Sequence, residues 1–264
     1  MSGYVGVSST SKNISKMYVG IDNVSHSVQK AYVGIDGVAK LWFQNTVAIE
    51  TLPVGSIVKA KYGDGVVELI IVNQGNPNTS KYDGSCDGTW LLSRYCVTTG
   101  RWSSKNVRDF KTSEILSWMN STFYNTLNDA AQSSVKDVII PYYISGGFSS
   151  ISVMKLSTKM FLLAAVELGF NNDSSPQKYL NDGSKLAYFN SSNGADEKRV
   201  GYLNGSATEW WLRTPRYYTS TSGQAVKPQT DGSYGRGWVS ETWGIRPAFI
   251  VKSETLVDGN GYIV

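Results

Sequence analysis

The apolar and polar pattern repeats itself at the N-terminus. Tyr4-Val5-Gly6-Val7 recurs as Tyr18-Val19-Gly20-Ile21 and as Tyr32-Val33-Gly34-Ile35, with a period of 14 residues. Later positions match too: Lys12, His26 and Lys40 share one place, and Ile14, Val28 and Trp42 share another. Two copies continue into Asp22-Asn23 and Asp36-Gly37, dipeptides that tolerate positive φ and favour tight turns. Each unit therefore reads as strand, turn, strand, with Val19 and Ile21 on one side and Tyr18 and Gly20 on the other. A lone hairpin is marginal in water, and each unit offers only two or three apolar side chains. Further apolar surface must come from outside the unit. Residues 1–44 are accordingly expected to form an oligomerisation or docking segment; a small sheet folded back on the main domain is the alternative. His26, the sole histidine, shares its position with two lysines and reads as an exposed polar residue.

Residues 45–264 read as one further domain. Strands are expected at Ser56 to Ala60 and Val66 to Val72 around a Gly63-Asp64-Gly65 turn, with a buried strand at Trp90 to Ser93. Thr112 or Ser113 can cap a helix in which Ile115, Met119, Phe123 and Leu127 recur every four residues. A second helical stretch is expected over Ala130 to Val138, with Ala131, Val135 and Val138 inward and Pro141 as its stop. Met160 to Ala164 reads as strand, passing into a short helical turn at Val166 to Leu168. From Gly169 to Gly205, Asn, Asp, Ser and Gly dominate, which points to a long loop region and a binding surface. Trp210-Trp211-Leu212-Arg213-Thr214-Pro215 and Trp243-Gly244-Ile245-Arg246-Pro247-Ala248-Phe249-Ile250-Val251 read as core strands that bracket exposed turns. Arg213 and Arg246, set within apolar runs, read as structural residues that need a carboxylate or several carbonyls as partners.

Composition narrows the classes. Hydrophobic residues make up 41% and charged residues only 17%, with 8 Trp, 16 Tyr and 26 Gly. Such a chain resembles an all-β or loop-rich recognition protein more than a helical enzyme. A net charge of +4, with no basic block, does not mark a nucleic-acid binder. The longest strongly apolar stretch, Met160 to Phe170, carries Glu167 and is too short to span a bilayer, and no secretory signal is visible. Cys86 and Cys96 could pair, although two partly buried thiols is the blander reading. Catalytic constellations are not apparent: there is one His, no zinc-ligand spacing and no phosphate loop, so no catalytic residue, metal or cofactor is assigned. A two-carboxylate glycosidase, for instance with Glu209 and Glu241, is the one enzymatic arrangement the residues leave open.

The Trp-Trp-Leu-Arg-Thr-Pro and Gly-Ile-Arg-Pro-Ala-Phe segments resemble an uncharacterised bacterial and phage domain family. That family is related to the C-type lectin-like fold and its sulfatase-modifying branch. Ser113 to Phe123 and Phe161-Leu162-Leu163 are similar to the same family, and the likeness covers roughly residues 50–253. The Tyr-Val-Gly-Ile-Asp-Gly repeats resemble those of phage tail and structural proteins. The resemblance implies an α+β fold: a C-type lectin-like domain preceded by short antiparallel β-hairpins. It implies a non-enzymatic tail-tip or tail-fibre protein, located in the virion, that attaches to a bacterial surface receptor (glycan or protein). It would associate with other tail proteins and itself, as a trimer, without nucleic acid or membrane insertion. Some relatives are ligand-binding proteins diversified by a retroelement. By that likeness Arg216, Tyr217, Tyr218, Thr219, Tyr234, Arg236, Trp238, Glu241 and Thr242 are the candidate receptor contacts. The sulfatase-modifying chemistry is not carried over, because no Cys follows Cys96. A structural virion protein without a receptor, or a carbohydrate-active enzyme, are the other readings.

Overall fold

The computed structural model describes all residues except 1–3, 8–9, 14–16, 22–23, 29, 36–37, 106–107, 146–150, 171–180, 190–193 and 217–222. The repeats form three hairpins: Tyr4–Val7 with Thr10–Asn13, Tyr18–Ile21 with Val24–Ser27, and Lys30–Ile35 with Val38–Gln44. The registers agree: Val5 faces Lys12, Val19 faces His26 and Val33 faces Lys40. The turn dipeptides Asp22-Asn23 and Asp36-Gly37 lie outside the described residues. Tyr18, Val19, Ile21 and Tyr32 are all exposed, at 47–59% of their full surface. The alternating pleat sends Tyr18 and Val19 to opposite faces, so both faces of the second hairpin carry unburied apolar area.

The core of the remaining chain is a five-stranded antiparallel sheet in the order Met160–Phe161, Ala248–Val251, Thr89–Ser93, Gly65–Gln74, Ile57–Tyr62. Every residue of the central strand Thr89–Ser93 is buried, which fits its continuous Trp-Leu-Leu run. The first and last strands after the repeats meet where Leu256–Asp258 pairs with Thr46–Ala48. Ser113 caps the helix by accepting from the Leu116 amide at 3.2 Å, and Ile115, Met119, Phe123 and Leu127 are buried. Its middle turn, Met119–Phe123, is a π-helix. Asn120, on that turn, clamps Met160 by donating to its carbonyl (2.8 Å) and accepting from its amide (3.0 Å).

The α+β, C-type lectin-like expectation is corrected. The chain is mostly β, with 42% strand, 17% helix, one helix of 13 residues and otherwise small sheets that do not assign a lectin-like fold. Much of the difference lies between residues 129 and 158. The second helical stretch ends at Ser134, and Val138–Ser145 pairs instead with Ile151–Thr158. Pro141 sits inside that hairpin, opposite Lys155. Its β-branched and aromatic neighbours favour the extended chain, and a two-stranded ribbon is all edge, where proline is tolerated. The Thr98–Arg101 strand, paired with Thr242–Ile245, also carries little apolar signal. The Trp210 to Pro215 run makes single bridges rather than a full strand.

Its central residue is the hub of the molecule. Arg213 and Glu167 are both wholly buried and form a bidentate ion pair at 2.6 and 2.7 Å. The guanidinium also donates to the carbonyls of Pro141 (3.0 Å), Leu162 (2.8 Å) and Asp182 (2.8 Å), so all five of its N–H groups are used. Glu167 accepts in addition from Tyr82 Oη at 2.6 Å and the Ala164 amide at 2.8 Å. Burial works against the Arg213 charge, but Glu167 and then Asp182 more than offset it and hold its pKa above the ordinary value. Losing one partner of such a pair costs about 3–5 kcal/mol, because the other is left charged and dry. Gly183 fits only because it lacks a side chain: a Cβ there would lie 2.5 Å from Tyr82 Oη and 2.9 Å from Glu167 Oε1.

Asp182 is buried with Oδ2 accepting from Thr214 Oγ1 at 2.7 Å and Oδ1 without a partner among the described residues. Burial raises its pKa from 3.8 to about 6, against the pull of Arg213 and Thr214. The folded pKa exceeds the unfolded one, so the native state holds this proton more tightly. Its support for the fold is complete below about pH 3.8 and is lost as pH rises through about 6. The unfolding free energy of wild type, less that of Asp182→Asn, should therefore fall between pH 4 and 6 by up to about 1.4 kcal/mol per pH unit and be level above pH 7. Urea titrations across this range measure it; a level difference throughout contradicts the assignment.

Candidate functional site

The candidate contacts centre on the hairpin of Gln224–Pro228 with Tyr234–Trp238. The second strand reads Tyr-Gly-Arg-Gly-Trp, so its large side chains occupy one face and its glycines the other. The glycine face is pressed on the protein. A Cβ on Gly237 would lie 2.8 Å from Trp243 Nε1, 2.9 Å from Lys227 Cε and 3.1 Å from Trp211 Cη2. The opposite face presents Arg236, exposed, Trp238, 44% exposed, and Tyr234, half-buried edge-on against Phe170 at 5.5 Å. Burial pushes the Tyr234 hydroxyl up to about 12, with Arg216 and Arg236 pulling the other way.

Arg216 joins this group at the Trp238 end. Its amide donates to Gln224 O at 2.8 Å and its Nη1 to Gln224 Oε1, and Gln224 is the cross-strand partner of Trp238. Tyr234 and Arg236 instead border a cleft of about 270 Å³ shared with Glu209, Lys227 and Gln229. Thr242 lies apart, on a groove of about 370 Å³ lined also by Thr98, Arg101, Glu114 and Trp118. Tyr217, Tyr218 and Thr219 fall outside the described residues. Lys227 and Gln229 escaped the sequence reading because a lysine and a glutamine between turns carry no distinguishing signal.

Glu241 closes a turn. Its amide donates to Trp238 O at 2.8 Å, and its carboxylate accepts from the Trp238 amide at 3.0 Å and Trp243 Nε1 at 3.3 Å. Glu209 is ion-paired to Lys227, whose ammonium lies 3.9 Å from the centre of the Trp243 ring. Both carboxylates suggested for a glycosidase are thus engaged by the Lys227–Trp243 stack. Cys86 and Cys96 are free and buried, and burial pushes both thiols up to about 11. What the exposed face offers chemically is an indole, a guanidinium and a phenol ring on a backed strand, suited to stacking and hydrogen bonding.

Arg213 and Arg246, expected to be structural, differ. Arg213 has its carboxylate and three carbonyls. Arg246 is as deeply buried, but among the described residues its guanidinium has one hydrogen-bond partner, the Ser93 carbonyl at 2.9 Å from Nε.

The chain belongs to the family described as a domain of unknown function (DUF6273), whose model matches residues 87–253. The match spans the core sheet strands from Thr89 onward, the Arg213 hub and the exposed hairpin. No curated protein matches, and no solved structure matches.

The fit of the glycine face can be tested directly. Gly237→Ala should destabilise the chain by about 1–3 kcal/mol, the usual cost of forcing a methyl into a packed site. Gly84→Ala, whose Cβ meets nothing within 4 Å, should change it by less than about 0.5 kcal/mol. Equal effects in urea unfolding would mean that the strand is not pressed against Trp243 and Trp211.

Proposed function

We propose that the chain is a non-enzymatic attachment protein of a phage tail: the N-terminal hairpins gather identical chains, as a trimer, and the Arg236–Trp238 face engages a receptor on the bacterial surface. The observation that carries the reading is the second hairpin, where Tyr18, Val19 and Ile21 stand exposed on both faces of a two-stranded ribbon. Such a ribbon lacks the buried area to be stable alone. The three matching registers supply repeated, like surfaces for copies of the same segment to cover. The resemblance of the repeats to those of phage tail proteins supports the setting. The exposed tryptophan and arginine on a backed strand support the binding role, since aromatic and Arg residues dominate binding energy in such contacts. Several copies on one axis would let individually weak contacts hold a cell.

The full-length chain should sediment as a trimer, and Val19→Asp with Ile21→Asp should lower its association state while the main domain's unfolding midpoint stays within error. On a panel of bacterial strains, the protein should bind at least one. Trp238→Ala or Arg236→Ala should weaken that binding about tenfold, the loss of one central contact. A wild-type monomer that binds no strain would overturn the reading.

A further inference from the structure

A second cleft, which shares no lining residue with the one beside Arg236, is built around Arg246. It encloses about 400 Å³, and Tyr95, Tyr188, Tyr202, Lys198, Glu197 and Arg94 share its wall with Arg246. These come from five stretches of chain: the turn after Thr89–Ser93, the Leu186–Phe189 turn, the Glu197–Arg199 turn, the strand Gly201–Leu203, and the link between Thr242–Ile245 and Ala248–Val251.

Arg246 is 1% exposed and stacks on the buried Trp210 ring at 4.5 Å. Nε donates to the Ser93 carbonyl, and Nη1 is buried without a hydrogen-bond partner among the described residues. Among the described residues no carboxylate lies within 4.0 Å of it. Burial accordingly lowers its pKa from 12.5 to about 10. A desolvated guanidinium with an unpartnered donor in the wall of a cleft is costly to the fold, and Arg213 in the same protein has every donor satisfied.

The other charges define what would complete it. Arg94 is already paired with Glu68 at 2.8 Å. Lys198, whose ammonium lies 5.1 Å from the Tyr188 ring centre, and Glu197 are opposite in sign. One positive charge remains, and a planar guanidinium with a free donor matches a carboxylate monoanion. Tyr95 and Tyr202, in the same wall, are 46% and 41% exposed, and Arg94 lies over one face of the Tyr95 ring at 5.1 Å; the remaining aromatic area is of the kind on which a sugar's C–H surface rests. We infer that this cleft binds an acidic saccharide of the hexuronic class, its carboxylate on Arg246 and its ring against the tyrosines. The site stands independently of the attachment role proposed above.

Calorimetric titration of the full chain with sodium glucuronate, glucose and inorganic phosphate tests it. Glucuronate should bind saturably and glucose at least about tenfold more weakly, the loss of a charge-assisted contact. Arg246→Met, which fills similar volume without the charge, should abolish glucuronate binding while the thermal midpoint is unchanged or higher. Lys198→Gln and Tyr202→Ala, on the cleft wall, should each weaken binding several-fold and serve if Arg246→Met does not fold. Equal affinity for glucose, tighter binding of phosphate, no saturable binding of glucuronate, or unaltered binding in the folded variants would each overturn the inference.

Discussion

The Arg213–Glu167 pair is the constraint around which the rest of this domain is arranged. An ion pair with both members at zero exposure is tolerated only where every donor and acceptor finds a partner. Satisfying Arg213 requires carbonyls from Pro141, Leu162 and Asp182, and satisfying Glu167 requires Tyr82 and the Ala164 amide. Five stretches of chain with few regular ladders between them are thereby held in one geometry. Much of this region is loop, so the pair does there what a sheet does elsewhere.

The exposed hairpin is tied to the same hub. Leu212 donates to Val226 O at 3.0 Å and Val226 donates to Thr214 O at 2.9 Å, so the strand Gln224–Pro228 is bonded to the residues on both sides of Arg213. Its partner strand is then pressed by Gly237 onto Trp211, Trp243 and Lys227. Arg236 and Trp238 inherit a fixed position, which lowers the entropy lost when they meet a ligand. Arg246 is the counter-example. Its burial has the same electrostatic cost with one carbonyl in return, and that asymmetry between two arginines in similar apolar runs marks the second cleft.

Local periodicity made part of this architecture legible. The Tyr-Val-Gly repeats announced hairpins of a common register, and Ser113 with the four-residue spacing of Ile115, Met119 and Phe123 announced the 13-residue helix. The low charge and high Tyr, Trp and Gly content pointed to a β-rich chain, whereas the family resemblance pointed to α+β; the structure is mostly β. Pro141 is ambiguous in sequence, because proline stops a helix as readily as it sits on a ribbon edge, and its flanking Val-Ile-Ile and Tyr-Tyr-Ile favour the edge. Thr98–Arg101 was invisible because half of its residues face solvent and none is large and apolar. The partners of the two arginines were beyond reach for a different reason. Arg213 meets a carboxylate 46 residues away, and nothing near Arg246 in the chain shows that it meets none among the described residues. Of the candidate site, Arg236 and Trp238 entered through the family resemblance, whereas the separation of Thr242 and the engagement of Glu209 and Glu241 depend on tertiary contacts.

If the buried pair governs the region, the segments it joins must open only when the whole domain opens. Native-state hydrogen exchange reads this directly through the amides of Ala164, Ala165, Ser184, Leu212, Arg213 and Val226, each of which donates a described hydrogen bond. The account predicts that all six exchange with one free energy, equal to that of global unfolding, and share its denaturant dependence. Exchange of Ser184 or Val226 by local opening, with a lower free energy and little denaturant dependence while Leu212 and Arg213 stay protected, would show that the pair does not hold the loops or the displayed strand.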